Sequence, residues 1–232
     1  MAEEDDTGAK YIFVTENREI KSMSRGYTGK ATASYPNGDV YEGDFLDGIR
    51  EGRGIYRYGG NGDKYDGEWK QNCKHGIGKM AYNGKGEYQG YWENGRRHGE
   101  GVFTYPNGDV YSGWWRFGEK EGTGTYLSKQ TNMKMFGDWT AGNIKSGRWV
   151  YPNGIYFEGS FENNKPIGEG TWNFKNGNKL EGAYSQKPKE AGEDEEPAEE
   201  EEGAEKTAKF DLVWQANTCI AESAHKVNSV EQ

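Results

Sequence analysis

The chain has 232 residues, only 32% of them hydrophobic, with 36 glycines set against 16 Tyr, 9 Phe and 8 Trp. Glycine at that level works against long helices, and so little aliphatic side chain excludes a thick two-layer core; aromatic rings must supply most of the buried area. The formal net charge is −9, yet Thr7 to Gln186 is near balance, with 24 Lys/Arg against 21 Asp/Glu, and the excess acid sits at residues 3–6 and 187–206.

In chain order, residues 1–25 form an N-terminal segment whose short apolar run, KYIFVTENREI from Lys10 to Ile20, can add a strand that caps the first repeat and protects its edge. Residues 26–186 are an internal repeat. Its marker is the glycine of a Y-x-G-x-W/F phrase, at Gly43, Gly67, Gly90, Gly113, Gly137, Gly159 and Gly182, with intervals of 24, 23, 23, 24, 22 and 23. Two residues after each glycine stands an aromatic: Phe45, Trp69, Trp92, Trp115, Trp139, Phe161 and Tyr184. Two residues before stand Tyr41, Tyr65, Tyr88 and Tyr111, then Met135, Phe157 and Leu180. A second phrase, G-x-G-x-x-x-Y, comes next at Gly52/Gly54, Gly76/Gly78 and Gly99/Gly101; the unit near 145 is one residue short and keeps only Gly147 of the pair.

Alternation with period two makes both phrases strands: Tyr41, Gly43 and Phe45 share one face, Glu42 and Asp44 the other. The glycines are read as packing residues, each covered by an aromatic ring from the adjacent strand. Asn-Gly at 37–38, 107–108, 153–154 and 176–177 predicts tight primed turns. Asp47-Gly48, Asn94-Gly95, Phe117-Gly118, Ala141-Gly142 and Asn163-Asn164 carry the other turn of each unit. The expected fold is all-β, an elongated single-layer twisted antiparallel sheet of consecutive hairpins. Beyond it, residues 187–206 read as an acidic disordered linker and residues 207–232 as an apolar docking segment. Through Phe210 and Trp214 that segment either folds back on the last repeat or reaches a partner.

Y-x-G-x-W/F, a short turn, G-x-G-x-x-x-Y and N-G-D at about 23 residues resembles the MORN repeat (membrane occupation and recognition nexus) over Gly26 to about Tyr184, departing from it at 135–154 and at Leu180. A bare array with an acidic tail is similar to the MORN subunits of the radial-spoke head of cilia and flagella. That resemblance implies a non-enzymatic scaffold without a cofactor, placed in the axoneme and contributing to ciliary motility. The partners it leads one to expect are other spoke-head proteins or a second copy of the chain, with no nucleic acid. The alternative is a membrane-associated MORN module that binds phosphoinositides.

Within this frame Tyr41, Gly43, Phe45, Tyr65, Gly67, Trp69, Tyr88, Gly90, Trp92, Tyr111, Gly113, Trp115, Trp139 and Phe161 are repeat-packing positions. The G-x-G pairs lack the third glycine and following helix of a dinucleotide site. Carboxylates that recur once per repeat, such as Asp39, Asp109, Glu42 and Glu158, do not make the unique constellation catalysis needs. His75 and His98, one repeat apart, are too distant to share a metal ion. Cys73 and Cys219 predict unpaired thiols in a reducing compartment, and no run suits a signal peptide or membrane span, so a soluble intracellular protein is expected. Two surfaces are candidates for partners. Arg50, Lys74, Arg97 and Lys120 recur two residues before each G-x-G and would stack as a basic ladder along one edge. The aromatic face offers Trp69, Trp92 and Trp115 as anchors, with Trp114 on the opposite face.

Overall fold

A computed structural model describes residues 10–188 and 210–220, all of whose regular elements are strands; the remaining residues, with most of the acidic linker, lie outside the described part. The chain falls into two compact units, one of residues up to Asn132 together with Trp139–Gly142, the other of Met133–Asp138 and the residues from Asn143 on.

Unit 1 is an antiparallel meander of β3 (Gly29–Ser34), β4 (Val40–Leu46), β5 (Ile49–Arg57), β6 (Lys64–Lys70), β7 (Cys73–Tyr82), β8 (Gly86–Glu93), β9 (Arg96–Thr104), β10 (Val110–Arg116) and β11 (Glu119–Leu127), each paired with the next. Ahead of them β1 (Ile12–Thr15) pairs with β3, and β2 (Ile20–Lys21) pairs with β1. Phe13 of β1 is fully buried, edge-on to Phe45 at 5.0 Å and to Tyr27 at 5.2 Å. β12 (Lys134–Thr140) is divided between the units. Unit 2 continues with β13 (Asn143–Val150), β14 (Tyr156–Glu162), β15 (Lys165–Asn173), β16 (Lys179–Pro188) and β17 (Phe210–Ile220), again antiparallel neighbours. The chain after the linker therefore folds back: Trp214 stands opposite Tyr184, and the sheet runs two residues beyond Gln186 before the described part breaks off.

Register explains the glycines. Gly43 stands opposite Gly54, Gly67 opposite Gly78, and Gly90 opposite Gly101, and across each pair lies one tyrosine ring. A methyl group at Gly43 would meet the Tyr41 hydroxyl at 2.7 Å, and one at Gly54 would overlap the same ring. The ring thus comes from the adjacent strand for the second glycine and from the same strand for the first. It then uses its polar end: the hydroxyls of Tyr41, Tyr65 and Tyr88 donate to the carbonyls of Asp44, Glu68 and Tyr91 at 2.9 Å. Those acceptors are at the bulge just past each glycine pair, where the register shifts by Phe45, Glu68 and Trp92.

The first glycine of each G-x-G has a different task. Gly52, Gly76 and Gly99 lie opposite the bulge with φ of +73°, +55° and +60°, so they are required by the backbone and are not covered packing positions as the sequence suggested. The turns also differ from expectation. At Tyr35-Pro36-Asn37-Gly38 only Gly38 has positive φ, the Gly38 N–H donates to Tyr35 and the Tyr35 N–H to Asp39, giving a three-residue loop. The two-residue primed turns are the other set: Asp47-Gly48, Gln71-Asn72, Asn94-Gly95, Phe117-Gly118, Ala141-Gly142 and Asn163-Asn164 have positive φ at both residues. The same pair of bonds closes the loop at Phe174-Lys175-Asn176-Gly177, which has no proline, so proline at 36 fits the first corner of this loop without being needed for it.

Candidate protein-interaction surfaces

On the tyrosine face each unit-1 repeat reaches into the next. Trp69, Trp92 and Trp115 are 3–5% exposed, and their indole N–H groups donate to the carbonyls of Gly54, Gly78 and Gly101 at 3.1–3.2 Å. Each is also edge-on to the tyrosine of its own repeat and to that of the repeat before, as Trp92 is to Tyr88 at 5.2 Å and to Tyr65 at 5.3 Å. Buried in this way, they fill the repeat-packing role expected of them and hold the sheet together, and they present no open anchor to a partner.

The basic column lies on the same face. Arg50, Lys74, Arg97 and Lys120, each the second residue of its strand and so beside the turns, are laid across the rings, 4.7, 4.6, 4.4 and 4.7 Å from the centres of Trp69, Trp92, Trp115 and Trp139. The backbone carbonyls of all four accept N–H groups from the next turn, at Asn72, Gly95, Gly118 and Gly142. Arg97 adds a bond from Nη2 to the Gly118 carbonyl at 2.6 Å. Burial lowers the ammonium pKa of Lys74, and that of Lys120 to about 8. These half-buried cations rivet one repeat to the next.

The recurring aspartates do the same at the opposite loop. Asp39, 8% exposed, accepts from the Tyr56 hydroxyl at 2.6 Å and the Gly59 N–H at 2.8 Å; Asp109, 7% exposed, accepts from Tyr126 at 2.5 Å and the Lys129 N–H at 2.7 Å. Hydrogen bonding, first of all from Tyr126, holds the Asp109 carboxyl below its ordinary range. These carboxylates fasten the N-G-D loop to the following hairpin, a role the sequence reading missed. The signal was there in the pairing of Asp39 and Asp109 with a tyrosine 17 residues on.

The opposite face of unit 1 is open. Ile77 and Tyr91 are paired across β7 and β8, and Val102 and Trp114 continue the row on β9 and β10; they are 51%, 50%, 40% and 51% exposed and line one shallow groove. Trp114 lies where expected, opposite Glu100 and away from the tyrosine rings. Ile77, Tyr91 and Val102 were missed, although each is next to a packing glycine and so faces the same way as Trp114. His98 pairs with Glu93 at 3.4 Å, both cysteines are exposed and free, and among the described residues no group of three or more His, Cys, Asp or Glu is placed to hold a metal.

One packing scheme copied hairpin after hairpin, with glycine, ring, cation and aspartate in fixed register, defines a non-catalytic repeat scaffold. The model of the MORN repeat matches residues 41–62, 65–86, 88–110, 111–131 and 157–179, and the chain is a MORN-repeat protein. The stretch between the last two matches is the short unit near 145. No curated protein matches the chain significantly. Among solved structures, the TCP domain of Drosophila melanogaster SAS-4 (dCPAP), in complex with a proline-rich motif of Ana2 (dSTIL), is 21% identical over 65% of this chain and 81% of that one, with a TM-score of 0.42. The TCP10c domain of Drosophila melanogaster Sas-4 is 20% identical over 65% of this chain and 90% of that one, with a TM-score of 0.39.

Proposed function

We propose that this protein is a structural subunit that binds other proteins through the open face of unit 1. The observation that carries the reading is the groove of Ile77, Tyr91, Val102 and Trp114, four large side chains that the repeat leaves uncovered while it buries their neighbours. The assembly proposed is the axonemal radial-spoke head of cilia and flagella, with its other head proteins as partners; the likeness of a MORN array followed by an acidic run to spoke-head subunits supports it. Phosphoinositide binding through the basic column is the lesser reading, since Arg50, Lys74, Arg97 and Lys120 are already engaged on rings and turns.

Affinity capture of the full chain from ciliated and non-ciliated cells tests this, beside sedimentation with vesicles containing phosphatidylinositol bisphosphate. The expected result is co-purification of spoke-head proteins from ciliated cells only, lost in Tyr91→Ala/Trp114→Ala, and no vesicle binding. Capture that ignores the double substitution removes the groove; vesicle binding that Arg50→Gln/Arg97→Gln abolishes favours the membrane reading instead.

A further inference from the structure

The aromatic face of unit 2 departs from that of unit 1 at three repeat positions. Where unit 1 has the cations Arg50, Lys74, Arg97 and Lys120, unit 2 has Ile144 and Pro166, both buried. Where unit 1 has Asp39 and Asp109, the YPNGI loop has Ile155. Where unit 1 has Tyr41, Tyr65, Tyr88 and Tyr111, β16 has Leu180, and the Trp214 ring covers Gly182 in place of the missing tyrosine. The outcome is a cleft of about 360 Å³ lined chiefly by Tyr151, Ile155, Trp172, Leu180, Tyr184 and Trp214. Its rings pack on one another into a continuous aromatic wall: Trp172 lies 5.7 Å from Tyr151 and 6.5 Å from Tyr184, and Tyr184 lies 4.9 Å from Trp214.

We propose that this cleft receives an arginine or lysine side chain from an extended segment of a partner protein. Four times in unit 1 the same kind of trough, bounded by a tryptophan and tyrosines, is occupied by a cation. In unit 2 the chain supplies Ile144 and Pro166 at that position, so the cation has to come from outside. A second observation is at Trp214. Trp69, Trp92, Trp115 and Trp139 all give their indole N–H to a glycine carbonyl, whereas the Nε1–H of Trp214 is buried without an acceptor. The backbone carbonyl of an entering segment can supply the hydrogen-bond acceptor that this N–H lacks.

Charge selects the guest. Residues 187–206 hold ten acids against three lysines and join β16 to β17. Tyr184 and Trp214 are each four residues from the ends of the strands that flank this run, a distance of about 13 Å along an extended chain. An acidic run tethered so near raises the local concentration of basic segments and opposes acidic ones. A neutral apolar guest gains nothing from it. The site is distinct from the groove of unit 1 and stands or falls without it.

The test is titration of the full-length ¹⁵N-labelled chain with the peptide N-acetyl-Gly-Arg-Gly-Lys-Gly-Arg-Gly amide, read at the indole N–H resonances. Saturable shifts are expected at Trp172 and Trp214, with Trp69, Trp92 and Trp115 unmoved. The same peptide with norleucine for its three cations should bind at least about tenfold more weakly. Pro166→Arg, which restores the row's own cation, should weaken binding by a similar factor. If that variant does not fold, Leu180→Tyr, which restores the tyrosine and closes the cleft, carries the same expectation. Equal binding of the norleucine peptide, shifts confined to unit 1, or undiminished affinity in the folded variant would each overturn the proposal.

Discussion

Lys120 places its Nζ 4.7 Å from the centre of the Trp139 ring while its own carbonyl accepts the N–H of Gly142, so a single residue fastens both the side-chain row and the turn of the next hairpin. Holding an ammonium there has a cost, visible in a pKa lowered from 10.5 to about 8 by burial.

That shift gives a pH dependence with a definite sign. Between pH 8 and 10.5 the folded protein binds fewer protons at Lys120 than the unfolded chain does, so its contribution to stability rises with pH through that window, and the burial cost is fully present below it. Urea unfolding of wild type and Lys120→Gln at the two ends of the window should show a difference that changes by about 1–2 kcal/mol, allowing for solvent screening. Parallel pH curves would refute the assignment.

The two glycines of a G-x-G pair should fail differently. Gly101→Ala drives a methyl into the Tyr88 ring and is expected to cost about 3 kcal/mol or more, with part recovered by adding Tyr88→Leu. Gly99→Ala meets the Tyr91 side chain only at 3.3 Å but is forced into φ +60°, a loss of about 1–2 kcal/mol that Tyr88→Leu leaves unchanged. Thermal or urea unfolding of the four proteins decides it.

Asp109 and Tyr126 should behave as one unit. Asp109→Ala is expected to cost about 2–3 kcal/mol and Tyr126→Phe about 1 kcal/mol, with the double variant well short of the sum. Because hydrogen bonds depress the folded carboxyl below its ordinary 3.8, the stabilisation is complete above that value and fades as pH falls through the lower folded one. Additive losses, or an acid limb of the stability curve unaltered by Asp109→Ala, would show that the fastener is not acting.

Adjacent tryptophans should separate folding from binding. Trp115→Ala, which empties a site 3% exposed, is expected to cost about 3–5 kcal/mol. Trp114→Ala, 51% exposed on the other face, should change stability by no more than about 0.5 kcal/mol. A large loss at Trp114 measured by unfolding would make it a structural residue.

Period and parity were enough to read strands, hairpins and the buried status of Tyr41, Trp69 and their counterparts from the sequence, because a glycine opposite a glycine leaves room that only a ring can fill. The placement of Arg50 and Lys74 was not legible that way. Parity assigns a residue to a face only while the register is unbroken, and the bulge after each glycine pair intervenes between Arg50 and the ladder beyond it. A count from the G-x-G phrase therefore gave the column beside the turns but not the rings it lies over. The same bulge hid the separate tasks of Gly52 and Gly54. The fastening role of Asp39 was hidden for another reason: its partners Tyr56 and Gly59 belong to the next hairpin, and no property of the YPNGD loop alone names them.

The indole bonds from Trp69 to Gly54 and from Trp92 to Gly78 cross from one copy of the motif into its predecessor. A copy cut just before the tyrosine of Y-x-G-x-W/F carries an unanswered donor near its front and an unanswered carbonyl behind it, and these two ends match. Duplication or loss of a whole period in the gene consequently re-forms every junction with no compensating substitution, whereas an indel of other length, such as the missing residue near 145, has to be absorbed locally. Array length in such proteins is free to drift in whole steps, and the distance a scaffold spans becomes a trait that recombination can adjust.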